Sequence, residues 1–429
     1  MTIIGLAGAG TIGRGLIELI GRSPAASQLK IKTLLVRDAT RSRFGVPAGV
    51  KLTTKLEELT DDPEISIVVE LMGGVDAPLR VVTRALEQGK SVVSANKNLL
   101  AQHGPALFAL AANHKVNLGV EASVCGGIPI IRLIGEALRA DRITSLEGIV
   151  NGTTNYLLTR MSEEKTSYSQ ALAEAQRLGF AEPDPDYDVS GKDAVCKAGI
   201  LASLAFGGYV DFRRIPTSGI ENLQLEDLRQ AERMGYTVKL VATARRTSHN
   251  NKLDAQVAPV LLPLTHPLAS IRHENNAVLI ESEGLGMTLA CGKGAGPAPT
   301  SVSLLADLLD IAEGRQKLPD VNHPFLGTPF EMEAHGQSSS RYYLRFAVPD
   351  RPGTLALVAG RFADQGLSLA SVLQPEGADP VPAPVAGGHP QVTLILTTHL
   401  CRRAQLDKVL GALAGEGWGN PVVLRIQED

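Results

Sequence analysis

The sequence predicts an α/β chain: a doubly wound parallel sheet first, then a separate α+β domain, then a small βαββαβ tail. Three observations carry this reading. Short apolar runs alternate with helical segments over the first 130 residues, a glycine-rich turn joins the first run to the first helix, and alternating strands reappear behind a polar stretch near residue 340. With 429 residues the chain exceeds what one hydrophobic core usually serves, so two or three domains are expected.

Residues 2–7, TIIGLA, form a strand that ends in GAGTIG and is followed by RGLIELIGR, whose Leu16, Ile17, Leu19 and Ile20 suit a buried helix face. KIKTLLV (30–36) reads as the second strand, with Arg37 and Asp38 directly at its carboxyl end. SIVVEL (66–71), SVVSA (91–95) and VNLGVE (116–121) follow, with helices around 76–88 and 104–113 between them, closing a first domain over 1–130. Across 131–294 helices near 128–139, 154–160, 168–178 and 191–206 mix with strands near 145–150, 237–244, 255–262 and 275–281. GAGPAPTSVSLLADLLDIAEG, within about 295–325, begins with a Gly/Pro turn and continues as an amphipathic helix expected to pack back on the first domain and complete it. Residues 329–340 read as a polar linker. The tail over 341–429 opens with a strand, a Pro-Gly turn, a helix and a second strand. QVTLILTT (391–398), a helix near 404–414 and PVVLRI (421–426) complete the βαββαβ pattern, with a Pro/Gly-rich loop over 375–390.

The totals exclude several classes. The chain is 44% hydrophobic and 20% charged with a formal net charge of -3, an ordinary globular balance. Lys and Arg are scattered, and one Trp and seven Tyr offer little base stacking, so no nucleic-acid partner is expected. Cys125, Cys196, Cys291 and Cys401 form no C-x-x-C pair, which leaves no zinc knuckle or redox dithiol and fits a reducing cytoplasm. MTIIGLAGAG has no basic region ahead of its apolar run, and no unbroken apolar stretch of about 20 residues follows, so neither a signal peptide nor a membrane span is expected.

Gly8-x-Gly10-x-x-Gly13 is a weak pattern alone, but here it follows a strand and opens a helix. In that place the glycines allow a tight turn and close approach of a pyrophosphate to the helix N-terminus, which points to a Rossmann-type dinucleotide binder, with a mere strand–helix turn as the rival account. Asp38 would accept hydrogen bonds from a ribose 2′-hydroxyl and favour NAD, whereas Arg37 would pair with a 2′-phosphate and favour NADP. Both readings stay open. SANKNLLA (94–101) sets Asn96 and Lys97 at the carboxyl edge of a strand, where ligands bind in such sheets, although a solvated helix-start lysine explains the fragment equally well. In VEASVCGGIPII (120–131) Glu121 precedes small residues whose carbonyls are free to coordinate a cation; an ordinary loop is the plainer account.

AEPDPDYDVSGKDAVCK (181–197) is dense in acids. Asp184, Asp186 and Asp188 alternate as in a calcium loop, but Pro185 interrupts, Val189 stands where the turn glycine belongs and Val195 where the closing Glu belongs, so an EF-hand is excluded. Beyond Gly191 the chain reads as a helix in which Asp193 and Lys197 share a face with Ile200, Leu201 and Leu204. On a mostly buried stripe an unpaired charge is expensive. A partly desolvated lysine held by a carboxylate can move a proton when a carbonyl is reduced or an alcohol oxidised. Glu182 is placed to bind a substrate ammonium, and a structural ion pair is the rival account of Asp193 and Lys197.

Over essentially its whole length the chain resembles the homoserine dehydrogenase family, in the form with a C-terminal ACT domain. The resemblance rests on GLAGAGTIGRG, SANKNLLA, VEASVCGGIPII, GIVNGTTNYLL, RLGFAEPDPDYDVSGKDAVCKAGIL, GKGAGPAPT and DRPGTLA, in the family's order. A fused aspartate kinase, found in some relatives, is not expected, because the chain starts at the cofactor strand. The resemblance implies interconversion of L-homoserine and L-aspartate 4-semialdehyde with NAD or NADP, within threonine, methionine and isoleucine synthesis, by a cytoplasmic enzyme. Carried over by motif, Lys197 looks like the catalytic acid/base, with Asp193 and Glu182 as substrate-binding neighbours. Gly10, Thr11, Ile12, Lys97, Gly179 and Gly296 look like cofactor contacts. Glu121, with the carbonyls of Val124, Gly126 and Ile128, is similar to the family's monovalent-cation site for Na+ or K+. To serve as acid and base, Lys197 is expected to have its pKa lowered toward the working pH. The tail implies an amino-acid effector, threonine foremost, and the 131–294 domain a homodimer or homotetramer. Another dehydrogenase of an amino-acid-derived aldehyde, or a nucleotide-binding sensor that has lost catalysis, is the runner-up.

Overall fold

The computed structural model describes residues 1–40, 45–247, 252–320, 322–334, 336–375, 390–416, 418 and 420–428. Six parallel strands, β1 (Thr2–Ala7), β2 (Leu29–Leu35), β3 (Lys51–Thr53), β4 (Ile67–Glu70), β5 (Ser91–Ser94) and β6 (Leu118–Gly119), lie in the order β3-β2-β1-β4-β5-β6. The order reverses between β1 and β4, and in such sheets the reversal opens a crevice outside the carboxyl ends of the strands. The strands are buried on both faces: Val68 belongs to one apolar core, and its neighbours Ile67 and Val69 to the other.

Three helices of this domain are α1 (Thr11–Arg22), α2 (Asp76–Glu87) and α3 (Lys97–His114). The sequence reading places this helix only around 104–113. The helix instead starts at Lys97, where the Asn96 side chain accepts the Leu99 N–H at 3.0 Å and caps it. Pro105 is tolerated inside it because the Ala101 carbonyl, which Pro105 cannot serve, accepts the Tyr209 hydroxyl at 3.2 Å. The helix read over 128–139 is also different. Pro129 delays it, so that only Ile130–Arg132 is α-helical and a wider turn follows over Leu133–Ala137.

The remaining longer helices are α4 (Gly152–Glu164), α5 (Tyr168–Leu178), α6 (Lys192–Phe206), α7 (Leu225–Arg233), α8 (Pro297–Ala312), α9 (Thr354–Asp364) and α10 (Arg403–Ala414). Helix α8 packs on α1 so closely that a Cβ on Gly15 would stand 2.8 Å from Ser301 Oγ. The C-terminal half of the chain thereby returns to the first sheet.

Strands β7 (Ile143–Ile149), β8 (Tyr236–Arg246), β9 (Leu253–Pro263), β10 (Asn275–Ser282) and β11 (Gly286–Lys293) form an antiparallel sheet in the order β11-β10-β7-β8-β9. The hairpin partner β11 was not foreseen, because its apolar residues Met287 and Leu289 face outward. The tail strands β12 (Ser339–Pro349), β13 (Leu369–Leu373), β14 (Gln391–Thr398), the two-residue β15 (Cys401–Arg402) and β16 (Val422–Ile426) realise the βαββαβ pattern with order β16-β12-β14-β13. Strand β16 pairs in parallel with β9 through Arg425 and Ile426, joining both sheets. The stretch read as a linker is docked as well: Leu253 exchanges backbone hydrogen bonds with Glu331 and Glu333 at 3.0 and 2.8 Å, and Phe330 and Met332 pack on the core. The loop read over 375–390 lies, from 376 to 389, outside the described residues.

Candidate active site

The glycines of the first turn do three different jobs. Gly8 has φ +108°, and a Cβ there would stand 2.6 Å from the Leu71 carbonyl oxygen, so the turn needs glycine. A Cβ on Gly13 would stand 2.6 Å from the Gly8 carbonyl oxygen, so α1 can approach β1 only without a side chain. Gly10 is different: it precedes α1, and a Cβ there would meet nothing within 4 Å. That open space lies at the helix N-terminus with Thr11 and Ile12 as its first residues, which suits an anionic phosphate. Across the crevice, Gly73 and Gly74 follow β4, and Gly74 has φ +81°. The sequence reading passed over this pair, although ELMGGVD is a second glycine turn at the same sheet edge. Buried Glu70 supports it by accepting the Met72 N–H at 2.7 Å and the Ser94 hydroxyl at 2.6 Å.

Arg37 and Asp38 stand exposed just beyond β2, and Asp38 accepts the Thr40 N–H and hydroxyl at 2.9 and 2.6 Å. Gly179 ends α5 in the left-handed conformation at φ +78°, and Gly296 precedes α8 at φ +110°. Both glycines therefore have a backbone reason of their own.

The second half of the site is a chain of charges. Every residue of α6 from Asp193 to Ser203 is buried, so the helix is enclosed on all faces rather than along one stripe. Asp193, 2% exposed, binds Lys197 Nζ through Oδ2 at 2.7 Å and Lys97 Nζ through Oδ1 at 2.6 Å. Lys97 was read as a cofactor contact, and its ion pair with this carboxylate was not visible in the sequence. Lys197 also donates to the Val150 carbonyl at 2.7 Å. The Asn151 amide bridges Asp193 and Asp188, 2.8 Å from each, while its carbonyl caps α4 at the Thr154 N–H. Tyr187 donates to Asn98 and lies under Lys97, whose Nζ is 5.4 Å from the ring centre.

Burial pushes the Asp193 carboxyl up, but the ammonium groups of Lys197 and Lys97 overcome it and hold the group at about 2. Burial likewise disfavours the charged form of Lys197, and the Asp193 carboxylate outweighs it, so the lysine is held above its ordinary value. The lowered pKa expected for Lys197 is thus corrected. The nearest countercharge decides the sign, and the resting lysine carries its proton.

The rest of the acidic stretch divides. Asp188 is fastened to Asn151 and to the Thr153 hydroxyl at 3.0 Å. Asp186 makes a surface pair with Lys192 at 2.6 Å, the plain solvated role. Glu182 is exposed, with its backbone carbonyl accepting the Gln176 amide at 3.1 Å, and its carboxylate makes no ion pair among the described residues.

Glu121 is buried and tied to the backbone that follows it. Its two oxygens accept the N–H groups of Ile131 and Arg132 at 2.9 Å each, and Arg132 Nε lies 3.5 Å away. Burial first, and Asp307 second, push this carboxyl up to about 7. Each oxygen of this carboxylate accepts one N–H bond and keeps a lone pair. In the loop, the Gly126 carbonyl accepts the Ser303 hydroxyl at 2.6 Å and the Ile128 carbonyl accepts the Ile130 N–H at 2.7 Å, so each keeps one lone pair. No group of three or more His, Cys, Asp or Glu side chains among the described residues is arranged to hold a metal.

Residues 8–121 match the family described as the NAD binding domain of homoserine dehydrogenase, and residues 129–309 that described as homoserine dehydrogenase. The chain is 37% identical to the homoserine dehydrogenase of Bacillus subtilis over 95% of its own length and 93% of that protein. It superposes on the crystal structure of a homoserine dehydrogenase from Thiobacillus denitrificans with a TM-score of 0.88 at 35% identity, covering 100% of this chain and 98% of that one. A hyperthermophilic archaeal homoserine dehydrogenase in complex with NADPH matches with a TM-score of 0.63 at 26% identity, over 74% of this chain and 99% of that one.

Proposed function

The chain belongs to the homoserine dehydrogenase family of NAD(P)-dependent oxidoreductases, and from that premise we propose how its residues divide the work. A bound nicotinamide supplies the hydride that reduces the aldehyde carbon of L-aspartate 4-semialdehyde, or takes it from the alcohol carbon of L-homoserine. Lys197 gives a proton to the oxygen in the reducing direction and takes the hydroxyl proton in the other, so one hydride and one proton are gained or lost together. Asp193 holds that lysine and orients it, and with Glu182 it receives the substrate ammonium. Gly8, Gly10, Thr11, Ile12 and Gly13 receive the pyrophosphate, while Gly179, Gly296 and Lys97 border the cofactor. The observation that supports this reading is the buried run Lys97–Asp193–Lys197, whose first residue follows β5 at the carboxyl edge of the first sheet.

NADP is the leading cofactor: Arg37 stands exposed at the end of β2, whereas Asp38 already accepts two hydrogen bonds from Thr40. A monovalent cation, Na+ or K+, would be held by Glu121 with the carbonyls of Val124, Gly126 and Ile128 and would brace the loop that leads out of β6. The tail acts as an ACT domain that takes threonine as feedback inhibitor; its βαββαβ order supports that reading. Homodimerisation or tetramerisation is supported by Met287 and Leu289, which β11 leaves exposed. A cytoplasmic place in threonine, methionine and isoleucine synthesis agrees with four unpaired cysteines and with the lack, among the described residues, of a helix long and apolar enough to cross a membrane.

The test is the initial rate of L-homoserine-dependent reduction of NADP and, in parallel, NAD. Turnover in the wild type that is lost in Lys197→Ala, with cofactor binding retained, supports the assignment. No turnover by folded protein with either cofactor refutes it. Threonine that changes neither activity nor thermal stability would refute the regulatory part alone.

A further inference from the structure

Strand β7 ends at Ile149, and each of the next two residues holds one member of the buried ion pair on α6. The Val150 carbonyl accepts Lys197 Nζ at 2.7 Å. The Asn151 amide nitrogen donates at 2.8 Å to Asp193 Oδ2, the same oxygen that Lys197 binds at 2.7 Å. Asn151 is buried, and its whole side chain is committed. Its Oδ1 accepts the Thr154 N–H at 2.8 Å, which caps α4 and fixes which way the amide faces. Both protons on Nδ2 are thereby turned toward acids, one to Asp193 Oδ2 and one to Asp188 Oδ1, each at 2.8 Å.

Capping accounts for the oxygen of this side chain and leaves its nitrogen unexplained. Ser, Thr or Asp would cap α4 equally well, but none of them offers two donors from one atom. The place asks for two. Carboxylate oxygens that share one nitrogen stand within about 6 Å of each other, the range in which like charges disturb one another, and the amide puts a proton on each. Lys97 holds the other oxygen of Asp193, so the carboxylate is gripped from both sides and Lys197 rests against a fixed atom. Among the described residues, Val150 and Asp193 take two of the three protons of the Lys197 ammonium. The direction of the third follows from where those two acceptors stand.

We propose that Asn151 is a positioning residue of the reaction: its amide fixes Asp193 Oδ2 and thereby aims the remaining proton of Lys197 at the substrate oxygen. This rests on Lys197 being the acid and base, and deepens that assignment, because the aim of the lysine is built by the turn between β7 and α4. Misplacing a reacting group by about 1 Å can cost about a hundredfold in rate.

The experiment compares Asn151→Ser, Asn151→Asp and Lys197→Ala with the wild type in L-homoserine oxidation by NADP, with NADPH affinity and melting temperature measured for each. Both replacements of Asn151 keep an oxygen for the Thr154 N–H, so α4 stays capped. Asn151→Ser is expected to lower kcat by roughly 10–100-fold while NADPH affinity and melting temperature stay near the wild type. Asn151→Asp adds a negative charge beside Asp188 and Asp193, opposite Lys97 and Lys197, which favours the protonated lysine. It should move the alkaline rise of the oxidation rate to higher pH, a change that a lost cap would not produce. A wild-type kcat in folded Asn151→Ser would overturn the proposal, as would a loss of kcat that appears only together with a lowered melting temperature. Turnover retained by Lys197→Ala would instead overturn the assignment beneath it, whereas inactive Lys197→Ala beside fully active Asn151→Ser would overturn this inference alone.

Discussion

Lys97 Nζ and Asp193 Oδ1 lie 2.6 Å apart, joining the first residue of α3 to the second residue of α6. The other oxygen of the same carboxylate is held by Lys197 at 2.7 Å. One buried acid therefore neutralises two lysines drawn from the helix behind β5 and from the second domain.

Removing that acid leaves two ammonium groups facing each other. Asp193→Ala is expected to lower turnover by about 10²–10⁴-fold and, as for other broken buried pairs, to cost about 3–5 kcal/mol. Steady-state kinetics and urea unfolding check the two effects, and unchanged kcat would remove Asp193 from the site.

The proton on Lys197 sets a direction-dependent pH profile. Oxidation needs the lysine without its proton, so its rate should rise with pH through the alkaline range, while reduction should fall there. For stability the signs differ by group. Asp193, held at about 2, contributes stability that is complete above the ordinary aspartate pKa of about 4 and is lost as pH falls toward 2. Lys197, held high, contributes stability that is complete below the ordinary lysine pKa and is lost as pH rises through its raised value. Rates in both directions and unfolding across pH test this; oxidation that peaks in acid would contradict it.

The glycines of the first turn should separate under substitution. Gly8→Ala forces a strained backbone and a contact with the Leu71 carbonyl, and should cost about 1–3 kcal/mol of stability. Gly10→Ala points a methyl into open space, so the melting temperature should hold while cofactor affinity falls by tenfold or more. Fluorescence titration with NADPH distinguishes the two.

The tail should loosen if its buried anchor is cut. Arg345 Nε binds Asp227 Oδ1 at 2.7 Å, and the Tyr343 hydroxyl donates to the same oxygen at 2.9 Å. Asp227→Ala leaves the guanidinium buried without its carboxylate and should destabilise by about 3–5 kcal/mol. Limited proteolysis should then cut faster near residue 336, and an unaltered digest would show that pairing of β9 with β16 suffices.

Local patterns in the sequence were enough for the parallel sheet, the glycine turn, the tail's strand order along the chain and the Asp193–Lys197 pair. Each rests on contacts a few residues apart: strand periodicity, a turn that needs φ above zero at Gly8, and the four-residue spacing of a helix face. What only the tertiary structure decided depends on groups far apart in the chain. The Ala101 carbonyl freed by Pro105 is satisfied by Tyr209, so α3 runs through a proline. Glu121 is engaged by peptide N–H groups ten and eleven residues on, a partnership that no local pattern shows. The state of Lys197 turns on the balance between burial and a neighbouring carboxylate. Desolvation and Coulomb attraction both depend on which atoms surround the charge, and that is settled only when the chain has folded around it.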